Sequence, residues 1–160
     1  MNIFYLNKGG VSMFYAKYDA MDVAEYVLWY CEKKLKKPIS NLQLQKILYY
    51  IQGENIAKNG CPLFDNKIEA WDYGPVVPDV YFSYNGFINK KINGIEPKQE
   101  DLFDDDEVEV IESVAKTKIN KNVWELVDKT HEEDPWKNNY SGTLKREIPI
   151  EDIERWFREE

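Results

Sequence analysis

The only histidine in this sequence, His131, is followed directly by three acidic residues at 132–134. A histidine oriented by a carboxylate is a common general base, so this stretch is the first candidate for catalytic chemistry. The sequence has no nucleophile elbow, no HExxH motif and no glycine-rich phosphate loop to complete such a site. The alternative is structural, with Thr130 capping a turn, His131 meeting the last carbonyls of its helix and Trp136 filling the core. We favour that alternative and expect a protein that is not an enzyme.

Clustered carboxylates are the second candidate, because Asp101–Glu112 carries seven acidic residues in twelve. They could hold a metal ion or form an acidic surface for a basic partner. The acids at 104–107 fall in the first turn of a predicted helix, where the helix dipole favours negative charge. The two cysteines, Cys31 and Cys61, are far apart, and no CxxC motif is present. We therefore expect neither a metal nor another cofactor.

The balance of charge restricts the possible partners. The net charge is −8 and the isoelectric point is near 4.8, which opposes broad contact with a phosphate backbone. One basic cluster, at 33–37, is either a phosphate site or the solvated end of a helix. No apolar run approaches the ~20 residues of a membrane span. We expect a cytoplasmic protein that contacts no membrane, with nucleic acid an improbable partner.

Capping signals divide most of the chain into helices. Asp19 is the expected N-cap of a helix through about Leu35. The capping box that begins at Ser40 predicts a helix to Asn59, with Gly60 as its C′ residue. Further helices are predicted to begin near residues 104, 122 and 149. Residues 85–100 form either a small hairpin or an exposed loop, and we favour a loop with some strand character. The residues at 67–73 alternate as a strand does. The expected fold is mainly α (α+β): a compact single-domain helical bundle with a short β element around residues 67–73.

The helix that begins after Ser40 carries a second line of side chains beside its apolar stripe. This line mixes aliphatic, aromatic and amide groups, which suits contact with a partner protein. The alternative is that Tyr49 and Gln52 form hydrogen bonds inside the domain. Gly53 lies within the helix, where glycine is unfavourable, so we expect another element to pack closely there. The candidate contact residues on this line are Leu42, Gln45, Tyr49 and Gln52.

Residues 70–81, AWDYGPVVPDVY, restrict almost every backbone torsion that they contain. Gly74 permits positive φ, Pro75 fixes φ in a turn and Pro78 suits the first turn of a helix. We predict a short strand, a rigid corner and a helix start. Trp71, Gly74 and Pro75 are expected to fix the corner. The contact candidates on it are Tyr73, Asp79 and Tyr81.

The first twelve residues match no pattern in the rest of the chain. Lys8-Gly9-Gly10-Val11 can be encoded by a purine-rich ribosome-binding sequence just ahead of Met13. We hypothesise that residues 1–12 are a translated leader or disordered arm and that one domain spans 13–160. Mass spectrometry of the protein made from its native gene tests this hypothesis, which a product beginning at Met1 would exclude.

Five segments together resemble the Panacea antitoxin domain family, which includes SocA-like and phage-associated GepA-like proteins. The pair LQKILYYIQG and AWDYGPVVPDVY is the most specific part of the resemblance. The resemblance implies a mainly helical domain that binds protein, with Pro78, Thr130, His131 and Trp136 in its structural signature. Residues 82–100 look like an insertion. The matching segments are 22–30 (DVAEYVLWY), 41–53 with 62–64 (NLQLQKILYYIQG, PLF), 68–81 (IEAWDYGPVVPDVY), 124–136 (WELVDKTHEEDPW) and 148–157 (IPIEDIERWF).

The family resemblance implies an antitoxin that neutralises a partner toxin by direct binding, with the toxin encoded by a neighbouring gene. One family mode is a proteolytic adaptor, which would add a host protease as a partner. The acidic net charge fits a basic toxin. Two alternatives stay open: a DNA-binding transcriptional regulator, in which the Ser40–Gly60 helix would read DNA, and a phage counter-defence protein that binds a host factor.

Overall fold

Helix α2, Asn41–Asn59, is the central element of the fold. The computed structural model describes residues 2–7, 10–99 and 101–159. Both hydrogen bonds of the predicted capping box form at Ser40, and Gly60 ends the helix with φ of +81°. Fourteen of the nineteen residues of α2 are buried. A helix that is buried around its whole circumference belongs to a core, so α2 is not exposed to read DNA as the regulator alternative requires.

The described residues form six further α-helices, most of which pack on α2, and the predicted mainly helical fold is confirmed. The predicted N-cap Asp19 accepts a hydrogen bond from the first turn of its helix. Asp104 and Asn122 do the same for the helices predicted to begin near them. A 3₁₀ turn at Asn85–Phe87 follows the third helix, and the backbone of Ile92 then bonds to Ile39. The helices are α1 Ala20–Trp29, α3 Pro78–Ser83, α4 Asp105–Ile119, α5 Val123–Glu132, α6 Asp134–Lys137 and α7 Ile150–Glu159.

The first helix ends earlier than the capping signals predict. Regular α-helical bonding stops at Trp29, and a π-helical turn, Tyr30–Lys34, continues the chain. The amide of Leu35 donates to the carbonyl of Tyr30, five residues before it. Because a π-helix keeps the same direction as an α-helix, the pattern of side chains alone does not distinguish the two.

The strands of the described residues form two antiparallel pairs. Strands β1, Asn2–Asn7, and β2, Gly10–Tyr15, pair antiparallel. Strands β3, Glu69–Trp71, and β4, Gly74–Val76, form the predicted β element, with Ala70 opposite Pro75. The leader hypothesis stays a prediction: strand pairing does not test where translation starts, and residues 1, 8 and 9 lie outside the described residues.

Helix α7 packs on α2 at the glycine within that helix. A methyl group added to Gly53 would overlap with the ring of Phe157. The same ring meets Tyr49 edge-on, with ring centroids 5.5 Å apart. The expected close approach at Gly53 is therefore confirmed, and its physical reason is the phenylalanine of α7.

A lysine on α4 gives the fold a predicted dependence on pH. Burial, and then the neighbouring Lys129, lower the pKa of Lys118 to about 8 from an ordinary value of 10.5. The native protein releases this proton before the unfolded chain does, so the contribution of Lys118 to stability rises between about pH 8 and 10.5. We expect Lys118→Met to flatten the rise in unfolding free energy over this range in urea titrations. An equal rise in this variant and in the exposed control Lys116→Met would contradict the prediction.

Candidate functional site

Two segments that are distant in sequence meet at the rigid corner made by β3 and β4. Gly74 has φ of +100°, and a Cβ added there would lie 2.6 Å from the hydroxyl of Thr130. The indole Nε1 of Trp136 donates to the carbonyl of Trp71 at 2.8 Å. The predicted signature residues of the two segments, 68–81 and 124–136, therefore form one scaffold, which fixes the corner.

Helix α2 holds the corner from beneath through two buried polar side chains. Lys46 is fully buried, and its Nζ donates to the carbonyl of Pro75 at 2.6 Å. Burial holds the pKa of Lys46 well below its usual value. Gln45 accepts a hydrogen bond from the amide of Val77 at 2.9 Å. These bonds fix the backbone within the second strand of the corner, at Pro75, and directly after it, at Val77.

The prediction that Gln45, Tyr49 and Gln52 form a contact surface is corrected by their burial. All three are at most 1% exposed. Tyr49 donates its hydroxyl to the buried carboxylate of Glu133 at 2.9 Å. The side chain of Gln52 donates to the carbonyl of Phe64 and accepts from the amide of Leu63 in the same loop. The internal hydrogen bonds that the sequence left as an alternative are the ones that form.

His131 is packed into the scaffold. Its ring stacks on Trp136 with centroids 3.9 Å apart, and its Nε2 is buried without a hydrogen-bond partner among the described residues. Burial lowers the pKa of His131, although a hydrogen bond with the backbone of Asp72 opposes this shift. A general base must reach the proton that it removes. This arrangement therefore agrees with the structural alternative.

The outer face of the corner carries exposed aromatic side chains. Tyr73 and Trp124 are 57% and 52% exposed, and their rings meet edge-on at 5.3 Å. Trp71 meets Tyr81 in the same way at 4.9 Å. A soluble monomer rarely exposes several large rings side by side, so this face is the candidate site.

The aromatic face forms the floor of two adjoining depressions that share Leu42, Tyr73 and Tyr81. One has a volume of about 330 Å³ and is bordered by Trp71. The other has a volume of about 560 Å³ and is bordered by Trp124. We call the two together the aromatic groove. Its principal apolar residues are Leu42, Trp71, Tyr73, Val76, Tyr81, Ile88 and Trp124.

The charges that line the aromatic groove are mainly positive. The wider depression has three lysines on its border and no described acidic residue. The narrower one has Lys145, whose Nζ lies 3.8 Å from the centre of the Trp71 ring, and Asp72. The first turns of α2 and α5 also border the wider depression, and helix N-termini carry partial positive charge. The three lysines are Lys37, Lys91 and Lys121.

The structure separates the predicted contact residues into three groups. Leu42, Tyr73 and Tyr81 line the aromatic groove. The second group is buried: Gln45, which lines the narrower depression but is fully covered, together with Tyr49 and Gln52. Asp79 lies elsewhere, since its carboxylate accepts a hydrogen bond from Asn66 at 2.9 Å and borders a different depression. Whether the first group binds a partner stays a prediction.

Sequence reasoning missed Trp124, Ile88 and three of the groove lysines, Lys91, Lys121 and Lys145. A signal for Trp124 was present, because it lies on the polar face of an amphipathic helix whose buried side carries Leu126 and Val127. A large aromatic residue on a polar face is typical of a binding surface. Lys37 belongs to the basic cluster at 33–37 that is evident in the sequence, whereas the other three lysines come from separate loops and had no such signal.

Two features of the described residues bear on other functions. No group of three or more His, Cys, Asp or Glu side chains there is arranged to hold a metal ion. No helix in the described part of the chain has the length and apolar character needed to cross a membrane.

Comparison with known proteins gives two matches. The family model described as "Antitoxin SocA-like, Panacea domain" matches residues 44–137. This span includes Trp71, Tyr73, Tyr81 and Trp124 from the aromatic groove. Antitoxin SocA of Caulobacter vibrioides (strain NA1000 / CB15N) is 50% identical over 60 residues, which are 34% of this chain and 32% of that protein. The match thus spans about a third of the length of this curated relative. No solved structure matches the chain.

Proposed function

The chain belongs to the SocA-like antitoxin family defined by the Panacea domain, and we propose that it neutralises a partner protein by holding it in the aromatic groove. The proposed partner is a toxin encoded by a neighbouring gene, and the proposed place of action is the cytoplasm. The mode of action is binding without catalysis. Delivery of the bound toxin to a host protease, or capture of a host factor by a phage protein, would use the same surface.

The exposed aromatic pair Tyr73 and Trp124 is the observation that carries this proposal. Tyrosine and tryptophan are among the residues enriched at the positions that dominate binding energy at protein interfaces. They offer a large contact area, and few of their torsions must be fixed on binding. The corner beneath them is fixed by buried hydrogen bonds from α2 and from Trp136. A surface ordered before binding loses less entropy when the partner arrives.

We expect the double variant Tyr73→Ala, Trp124→Ala to bind the partner at least about 100-fold more weakly. Truncating one such ring at a hot spot typically costs ~2 kcal/mol of binding free energy. The partner is first identified by expressing this chain with each neighbouring reading frame and finding which frame is toxic alone and is rescued by it. Affinity is then measured by calorimetry with the purified pair. Thermal unfolding should change by only a few degrees, since both rings are more than half exposed.

The matched control is Leu144→Ala. Leu144 is 55% exposed but does not line the aromatic groove, so its removal should leave affinity unchanged. If the double variant rescues growth and binds as tightly as the parent, the groove is not the neutralising surface and the proposal fails.

A further inference from the structure

We infer that the aromatic groove selects an acidic segment of the partner, in which carboxylates alternate with apolar side chains. This inference rests on the proposed function and names the chemistry of what the groove receives. It comes from the charges on the border of the groove, which differ in sign from the charge of the whole chain.

The lysines on the groove lack acidic partners within the described part of the chain. No described carboxylate oxygen lies within 4 Å of any of their ammonium groups. Lys91 donates to the amide oxygen of Gln43 at 2.8 Å, and Lys145 lies over Trp71, so two of these cations are held in place by neutral groups. The four are Lys37, Lys91, Lys121 and Lys145.

The described acidic residue that lines the groove is already engaged. Asp72 accepts a hydrogen bond from the hydroxyl of Tyr140 at 2.8 Å. The groove therefore presents four positive charges against one negative charge. An acidic segment would supply the carboxylates that the lysines lack, and charge pairs at an interface fix its register.

The charge of the whole chain sharpens this selection. A net charge of −8 means that the remaining surface repels an acidic segment, so the groove is the place where such a segment is attracted. The sequence expectation of a basic partner used the average charge. The groove is locally positive although the chain as a whole is negative. A segment in contact with the groove responds to these nearby charges more than to distant ones, which salt screens.

The aromatic floor defines the other half of the segment. Leu42, Tyr73 and Trp124 line the groove together with the lysines, and the stems of lysine side chains extend its apolar surface. A purely acidic segment would leave this floor uncovered. Apolar residues between the carboxylates would cover it.

The test uses three short fluorescent peptides that share spaced phenylalanines and differ only in the residues between them, which are glutamate, glutamine or lysine. Fluorescence anisotropy with the full chain should give at least about tenfold tighter binding for the glutamate peptide than for the other two. The preference should weaken as salt is added, because the lysines are exposed.

The variant for this test combines Lys37→Glu, Lys91→Glu and Lys121→Glu. Its matched control combines the same change at three exposed lysines outside the groove, Lys58, Lys67 and Lys116. Both proteins carry the same altered net charge. The affinity of the groove variant for the glutamate peptide should be at least about tenfold lower than that of the control variant. If it does not fold, the single changes Lys91→Gln and Lys121→Gln take its place, each with an expected loss of about threefold.

Several outcomes would overturn the inference: no binding of the glutamate peptide, no preference for it, or equal losses in the two lysine variants. Tighter binding of a single-stranded DNA oligonucleotide, lost in the groove variant, would reassign the groove to nucleic acid. The toxin rescue assay separates the two proposals. If Tyr73→Ala, Trp124→Ala abolishes rescue and the groove lysine variant retains it, the neutralising groove stands and its acidic selectivity fails. If both variants retain rescue, the proposed function itself fails.

Discussion

Replacing Gly74 with alanine is expected to lower the free energy of unfolding by about 3 kcal/mol, since two costs act at the same atom. The backbone at Gly74 has φ of +100°, a region that a side chain disfavours. The added methyl group would also lie 2.6 Å from the hydroxyl of Thr130 and 2.8 Å from Nζ of Lys46. Both neighbours are fully buried, so neither has free space to enter. Urea unfolding followed by circular dichroism measures the loss.

Gly60→Ala is the matched control for this prediction. Gly60 has φ of +81°, and nothing lies within 4 Å of a Cβ added there. This variant should show the cost of backbone strain alone, about 1–2 kcal/mol. Equal losses in the two variants would mean that the contact with Thr130 and Lys46 adds nothing.

Replacing Glu133 with alanine is expected to lower the free energy of unfolding by about 4 kcal/mol. The Glu133 carboxylate accepts the hydroxyls of Tyr49 and Tyr50, each at 2.9 Å. All three side chains are buried. Each hydroxyl left without its acceptor costs ~1–3 kcal/mol, and the deleted side chain leaves a cavity. Chemical denaturation at neutral pH measures the effect.

Two controls isolate the buried hydrogen bonds. Glu132→Ala removes the adjacent exposed carboxylate and should change stability by less than about 0.5 kcal/mol. Tyr50→Phe removes one hydroxyl and keeps the ring, so we expect a loss of ~1–2 kcal/mol. A Glu133→Ala variant as stable as Glu132→Ala would show that the carboxylate contributes nothing to the core.

The helix starts, and the end of α2, could be predicted because their causes are local. Asp19, Ser40 and Asp104 each bond to residues within three positions of themselves. Gly60 ends α2 for a reason contained in one residue, its left-handed backbone. Such signals need no knowledge of the rest of the fold.

The burial of the polar side of α2 could not be predicted in the same way. The partner of Tyr49 is 84 residues away and the partner of Gln45 at Val77 is 32 residues away. A glutamine on a helix looks the same in sequence whether it faces solvent or a buried amide. Only the packing of the corner and of α5 on α2 decides between the two.

Some residues of the aromatic groove could be predicted from local sequence, and others could not. Leu42, Tyr73 and Tyr81 were accessible to sequence reasoning, since they lie in or beside the segments with the strongest pattern. Trp124 and Lys121 reach the same groove from the start of α5, through tertiary contacts that no local pattern encodes.

The separation between a buried scaffold and loop-borne lysines has an evolutionary consequence. Mutations at exposed positions such as Lys37, Lys91 and Lys121 usually change stability by less than about 0.5 kcal/mol, whereas mutations in the corner are severe. A lineage can therefore alter the charges around the groove one residue at a time, with every intermediate still folded. Selection for a new partner would leave its record in these lysines, while Gly74, Lys46 and Thr130 stayed fixed.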